Sequence, residues 1–181
     1  PCASSSDTIA PSAPSWRSAS SWPGWSGRLR CRTRDRAGCP TQRAAISAAL
    51  AESGLSADQV DEVIMGCVLP AGLGQAPARQ ASRGAGIPDA AGCTTINKVC
   101  GSGMKAVMLA HDLVKAGSAK FVVAGGMESM TNAPHLLNGS RTGIRYGSAE
   151  FVDHMAYDGL TNPYDGKAMG VFGDAACAKY G

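Results

Sequence analysis

From Thr41 onward, apolar residues recur with periods that switch between helix and strand. Thr41 stands where it can cap a helix, the apolar positions Ala44, Ala45, Ile46, Ala48, Ala49 and Leu50 follow, and Gly54 stops the run. Ser56 with Gln59 has the form of a capping box and predicts a short second turn. Glu62 to Leu69, EVIMGCVL, reads as a buried strand closed by Pro70, with Gly66 marking a bulge or a close backbone contact. Pro70 to Ala76 is Gly-rich loop, and Ala78 to Ala85 resumes helical spacing until Gly86 and Pro88. Thr94 to Val99 predicts a second strand and Lys120 to Ala124 a third. Between them Ser102 to Lys115 predicts a helix with Met104, Val107, Met108, Leu113 and Val114 facing inward. This alternation is the mark of an α/β sheet covered by helices. Beyond Glu128 the period fades into loop, with short helices expected at Phe151 to Met155 and Met169 to Tyr180.

Composition changes the picture chiefly at the amino terminus. The 181 residues are 44% hydrophobic, enough for one domain with a core, and the net charge of +3 is unevenly spread. Residues 1–40 hold nine serines, six arginines, all three tryptophans and only two acidic residues, with no sustained period. The composition is that of a transit peptide without the amphipathic pattern, or of an Arg/Trp nucleic-acid binder. The reading favoured for this segment is disorder, or an out-of-frame translation. No run approaches the ~18 consecutive apolar residues of a membrane span, so no membrane is expected as partner, and from Pro40 onward the charge is close to balanced, so no nucleic acid is expected either. Seven cysteines without a Cys-x-x-Cys pair or a nearby histidine point to no metal site. Unpaired and scattered, they suit a reducing, cytoplasmic compartment.

One cysteine stands apart. In INKVCGSGMKA, Ile96 to Ala106, Cys100 precedes a Gly-Ser-Gly and the start of a helix, where unsatisfied N–H groups and the helix dipole favour a thiolate. Gly101 and Gly103 permit a sharp strand-to-helix turn, the logic of a nucleophile elbow with sulfur in place of oxygen. Spacing alone leaves a second reading open, in which Cys100 is a small packed hydrophobe. His111 falls about three turns along the same helix, too far to be its base. His135 and His154 lie in the loop-rich region and read as surface or structural residues. No phosphate-cradling GxxxxGK and no GxGxxG after a strand is present, and Gly125-Gly126 reads as close packing.

Four stretches together resemble the amino-terminal half of the thiolases, the acetyl-CoA acetyltransferase group in particular: INKVCGSGMKAV at 96–107, VVAGGMESMTNAPH at 122–135, APARQA at 76–81 and DGLTNPYDGKAMG at 158–170. The resemblance runs from about residue 42 to the end. It implies a layered αβαβα fold, here incomplete, and an acyltransferase that condenses acetyl-CoA or cleaves 3-ketoacyl-CoA through a cysteine thioester, the position of Cys100. Coenzyme A enters as a substrate rather than a resident cofactor, with Leu160 and Met169 against its pantetheine arm. Residues 41–126 correspond to a partial N-terminal α/β domain and 127–181 to the start of a loop domain. The PARQA helix and residues 127 to about 147 correspond to dimer and tetramer contacts, so a homo-oligomer is implied. Ala168 stands where many members carry histidine, which leaves acetyl specificity open.

The departures from the pattern are as informative. The family opens with a VIVSAARTPxG strand, and residues 1–40 contain none. The resemblance implies a sheet ordered 3-2-1-4-5, of which strands 2, 3 and 4 would be present, with 2 and 4 robbed of the partner between them and left with exposed edges. The second half, with its Asn-Glu-Ala-Phe, Gly-His-Pro and Cys-x-Gly groups, has no counterpart here. The chain alone is therefore expected to be an inactive fragment, without base or complete oxyanion hole. Two other readings remain: a noncatalytic module that binds CoA or a complete thiolase, and a condensing enzyme of the ketoacyl synthase kind.

Overall fold

The structure, a computed structural model, describes residues 40–181. The Ser/Arg/Trp-rich segment, Pro40 apart, lies outside the described residues. Helix α1, Pro40–Ser53, begins one residue before Thr41, which is therefore inside the first turn and does not cap it. Gly54 follows in a left-handed conformation, as a stop requires. A single 3₁₀ turn, Ala57–Gln59, comes next, and Gln59 Oε1 accepts the Ser56 N–H at 3.0 Å, the reciprocal half of the expected box.

Three strands build a parallel sheet: β1 Glu62–Gly66, β2 Gly92–Ile96 and β3 Val122–Gly126. Each is shifted from its expected limits. β1 stops at Gly66 because Val68 and Leu69 give their N–H groups to the Glu128 carboxylate instead of to a neighbouring strand. β2 starts at Gly92 and ends at Ile96, and the chain turns where Thr94 to Val99 had promised strand. β3 begins at Val122 because Lys120 and Phe121 donate to Asp61 Oδ2, at 2.7 and 2.9 Å. The Phe121 and Lys120 bonds hold the Asp61 carboxyl below its usual range.

The strand order is β2-β1-β3, with Ile64 opposite Thr94 on one side and Ala124 on the other. β1 and β3 thus pair directly. The expectation that their facing edges would lie exposed is overturned: the two are paired in a continuous ladder, and Met127 N–H donating to Gly66 O at 2.8 Å extends it. Beside β3 runs a groove of about 420 Å³ lined in part by Leu50, Val60, Val114 and Phe121.

Alternation along β1 divides the molecule into layers. Val63, Met65 and Cys67 point to one face, where Ile46 and Leu50 of α1, Ala78 and Ala81 of α2 (Pro77–Gly84), Ile87 and Ala91 complete the core. Gly66 faces the other way, towards α3, Ser102–Lys115. The inward side of α3 is Ser102, Ala106 and Ala110, spaced four apart. Met104, Val107, Met108 and Val114 are exposed and Leu113 is half-buried, the reverse of the expected orientation. Backbone proximity is the reason: a Cβ on Gly66 would lie 2.4 Å from Ser102 C, and one on Gly103 would lie 3.3 Å from Gly126 Cα. Only the small stripe of α3 fits so close to a sheet.

Past β3 the chain is less loop-like than expected. β4, His135–Leu137, and β5, Phe151–Asp153, form an antiparallel pair, so Phe151 to Asp153 is strand and not helix. A π-type helical turn, Met155–Leu160, follows, and α4, Met169–Tyr180, has the expected limits. Among the described residues no helix is long and apolar enough to cross a membrane, and no group of three or more His, Cys, Asp or Glu could hold a metal ion.

Two substitutions test this packing. Ser82 of α2 is buried and its hydroxyl has no hydrogen-bond partner. Ser82→Ala is expected to stabilise the chain by about 1 kcal/mol, through a relieved desolvation penalty and better helix propensity, seen as a higher urea midpoint at unchanged slope. Gly66→Ala is expected to cost about 3 kcal/mol by forcing α3 off the sheet, whereas Gly173→Ala in α4, with open space around it, costs nothing measurable.

Candidate functional site

The carboxyl ends of β1 and β3 and the amino end of α3 meet around a cavity of about 600 Å³. Open parallel sheets place ligands in this position because helix starts and loop backbone converge there. Gly66, Val68 and Leu69 form one wall, Met127, Glu128 and Met130 another, and Met155, Gly159 and Leu160 of the π-type turn a third. Cys100, Ser102, Gly103 and Met104 close it from the helix side.

Cys100 is exposed, and it sits immediately before Gly101, the N-cap of α3. The turn that carries it is bound on both sides. Asn97 Oδ1 accepts the Val99 N–H at 2.8 Å, and Ser102 Oγ accepts the Lys98 N–H at 2.9 Å while donating to Val99 O. Val99 has φ +46°, in the left-handed region. A β-branched residue there stores strain on the order of 1–3 kcal/mol, and it persists only where its surroundings hold it. Glu128 is the principal tie of the opposite wall: Oε2 accepts from Val68 N–H at 2.7 Å and Oε1 from Leu69 N–H at 3.0 Å. Those two amides are thereby spent, and the wall they form presents mainly apolar surface to the cavity.

Cys67, also near Glu128, has a different chemistry from Cys100. It is buried at 2% exposure, and its Sγ lies 3.7 Å from Glu128 Oε1. Burial first, and the Glu128 charge second, push its thiol up to about 11. It is a packed and inert thiol, while Cys100 opens to the cavity.

Of the other residues marked in the sequence, Leu160 lines the cavity with Cys100, and Met169 does not; it begins α4 and is partly exposed. None of the three histidines lines the cavity. His111 is exposed on α3, 3.2 Å from Asp112 Oδ1. His135 is exposed in β4. His154 is buried, with Nε2 accepting the Ala71 N–H at 3.4 Å; its Nδ1 therefore carries the proton and donates to Asp158. Its role is structural, tying the π-type turn to the loop after β1. Asn97 and Glu128 escaped the sequence reading. An Asn two residues before a turn was a readable Asx-turn signal for the first. For the second, the one cue was a charge placed directly after an apolar strand.

Residues 33–181 match the family described as "Thiolase, N-terminal domain". The acetyl-CoA acetyltransferase of Cupriavidus necator is 54% identical over 136 residues, which cover 75% of this chain and 35% of that protein. The acetyl-CoA acetyltransferase of Schizosaccharomyces pombe is 51% identical over 126 residues, 70% of this chain and 32% of that one. Among solved structures, Acat5 thiolase from Ascaris suum, in complex with coenzyme A, superposes with a TM-score of 0.72 at 37% identity, covering 77% of this chain and 36% of that chain. The chain thus spans about a third of the length of these relatives.

The contrast between the two thiols has a pH signature. From the ordinary thiol value of 9.0 up to about 11, the folded chain keeps the Cys67 proton while the unfolded chain releases it. Stability therefore falls as pH rises through that window, and below it this group leaves stability flat. Comparing urea midpoints of the chain and Cys67→Ala from neutral pH into that window is expected to show a slope that the variant loses. Iodoacetamide at neutral pH is expected to label Cys100 and spare Cys67.

Proposed function

The chain belongs to the thiolase family through its N-terminal domain, and from that premise we propose that it supplies the acyl-accepting half of a thiolase-type acyltransferase. Residues 41–126 are its partial α/β domain and 127–181 the beginning of its CoA-binding and oligomerisation domain. The observation that carries the proposal is the exposed Cys100 at the start of α3, opening onto an apolar-walled cavity at the carboxyl ends of parallel strands.

The chemistry is transthioesterification. Cys100 Sγ, as thiolate, attacks the thioester carbonyl of an acyl-CoA; a new S–C bond forms, the CoA S–C bond breaks, and CoA leaves as a thiolate that takes up the proton Cys100 gave up. Leu160, already on the cavity, and Met169 are assigned to the pantetheine arm, and coenzyme A is a substrate with no resident cofactor. The acyl group then passes either to a second acetyl-CoA, in condensation, or to CoA, in ketoacyl-CoA thiolysis. A homo-oligomer with subunits meeting through α2 and the β4–β5 region belongs to the same proposal. The four described cysteines are all free, which supports a reducing, cytoplasmic setting.

A full catalytic cycle also needs a group to take the Cys100 proton, and no histidine lines the cavity. The chain alone is therefore expected to form the thioester but turn over slowly. A second, noncatalytic reading, docking onto a complete thiolase, is favoured by the outward apolar stripe of α3, with Met104 73% exposed. A helix apolar on both sides is suited to burial between two layers.

Incubation with acetyl-CoA and peptide mass spectrometry tests the main proposal. An acetyl adduct on Cys100, absent in Cys100→Ala and absent from Cys67, is expected; no adduct on Cys100 would remove the acyl-transfer reading. Ketoacyl-CoA cleavage by this chain is expected to fall more than about tenfold, ~1.4 kcal/mol in barrier, below that of a full-length relative.

A further inference from the structure

The strained turn before Cys100 is not self-supporting, and the bonds that hold it start on the far side of the cavity. Glu128 Oε1 takes the Leu69 N–H at 3.0 Å and so fixes the peptide whose carbonyl, Val68 O, accepts Asn97 Nδ2 at 3.3 Å. The same amide turns its Oδ1 to the Val99 N–H at 2.8 Å. One side chain therefore spans from the end of β1 to the residue before Cys100. Each bond is ordinary by itself, but Val99 is β-branched and sits at φ +46°, a conformation that valine abandons unless its neighbours impose it. Ser102 Oγ pins the carbonyl side of Val99, so Asn97 is needed for the amide side. An alternative without strain exists at this position: glycine adopts φ > 0 without a Cβ clash.

We infer that Asn97 is a positioning residue for the Cys100 nucleophile, acting by holding Val99 left-handed against the Glu128-anchored end of β1. Asn97 touches no substrate in this account. It aims the sulfur at an incoming thioester carbonyl, where a misplacement of about 1 Å is enough to cost on the order of a hundredfold in rate. The inference rests on the acyl-transfer reading for its consequence, though not for its geometry.

The test compares the full chain with Asn97→Ala, Val99→Gly and the double variant, each first checked for folding by circular dichroism. Two rates are read at Cys100 by peptide mass spectrometry: acetylation by acetyl-CoA, which needs an aimed sulfur, and alkylation by iodoacetamide, which needs an accessible one. Asn97→Ala is expected to slow acetylation at least about tenfold while alkylation stays within about threefold. The double variant is expected to recover acetylation to within about threefold of the parent, because glycine needs no restraint to adopt the turn. Acetylation of Asn97→Ala at the parent rate, a parallel loss of alkylation, or no recovery in the double variant would each overturn the inference. If the parent chain is not acetylated, the acyl-transfer reading fails by itself, and hydrogen exchange at the Val99 amide decides the positioning: at least about tenfold faster exchange in Asn97→Ala upholds it, and unchanged exchange overturns it. Should Asn97→Ala fail to fold, Val99→Gly and the double variant are compared instead: with glycine at 99 the loss of Asn97 is expected to change acetylation by less than about threefold, and a larger drop overturns the inference.

Discussion

The structure depends on how closely the first turn of α3 approaches the ends of β1 and β3. Gly66, Gly103 and Gly126 meet backbone to backbone, at distances where any Cβ on Gly66 would overlap Ser102. This one contact fixes three things at once. It forces the small stripe Ser102, Ala106 and Ala110 onto the sheet and turns the methionines and valines of α3 outward. It brings the helix start level with the strand ends, so that Cys100 arrives at the cavity rather than over the sheet. And it fixes where the connection from Ile96 must arrive, the connection in which Val99 is left-handed.

Much of the fold was legible because the periods are local. The limits of α3 and α4 follow from the Gly-Ser-Gly and Ala-Met boundaries, and Gly66 did mark a close contact. What was not legible depended on partners distant in the chain. Cys67 to Leu69 are as apolar as the strand before them, and only Glu128, some sixty residues away, takes the Val68 and Leu69 amides out of the ladder. Phe151 to Asp153 is too short to show a period, and only its pairing with His135 to Leu137 makes it strand. The inward face of α3 was misread for a related reason. Hydrophobicity favours the larger stripe at any helix, and it cannot know that the neighbouring backbone is too near to admit a methionine. The direct pairing of β1 with β3 likewise rests on ladder bonds that no local pattern announces.

The site divides along the same line. Cys100 was visible because its chemistry is carried by neighbours in sequence, the glycines and the helix that follow. Leu160 reaches the same cavity from sixty residues further on, and the resemblance to a family, not periodicity, pointed to it. Asn97 and Glu128 bind backbone groups, and backbone groups carry no sequence signal of their own. Polar residues whose task is to satisfy another segment's amides are thus the part of a site that sequence patterns show least.

Glu128 shows how one carboxylate can serve two ends through a single arrangement. Its oxygens are committed to Val68 and Leu69, so its charge is spread over two N–H dipoles and organises the wall facing Cys100. The charge is still close enough to Cys67 to add to the burial that keeps that thiol protonated. Cys100 lines the cavity, while Cys67, next in the chain to the lining residues Gly66 and Val68, is buried. Burial and the carboxylate together keep the Cys67 thiol protonated. The residue that shapes the cavity wall is therefore also one that pushes the Cys67 thiol up. The two effects cannot be tuned apart, because both come from where one side chain stands.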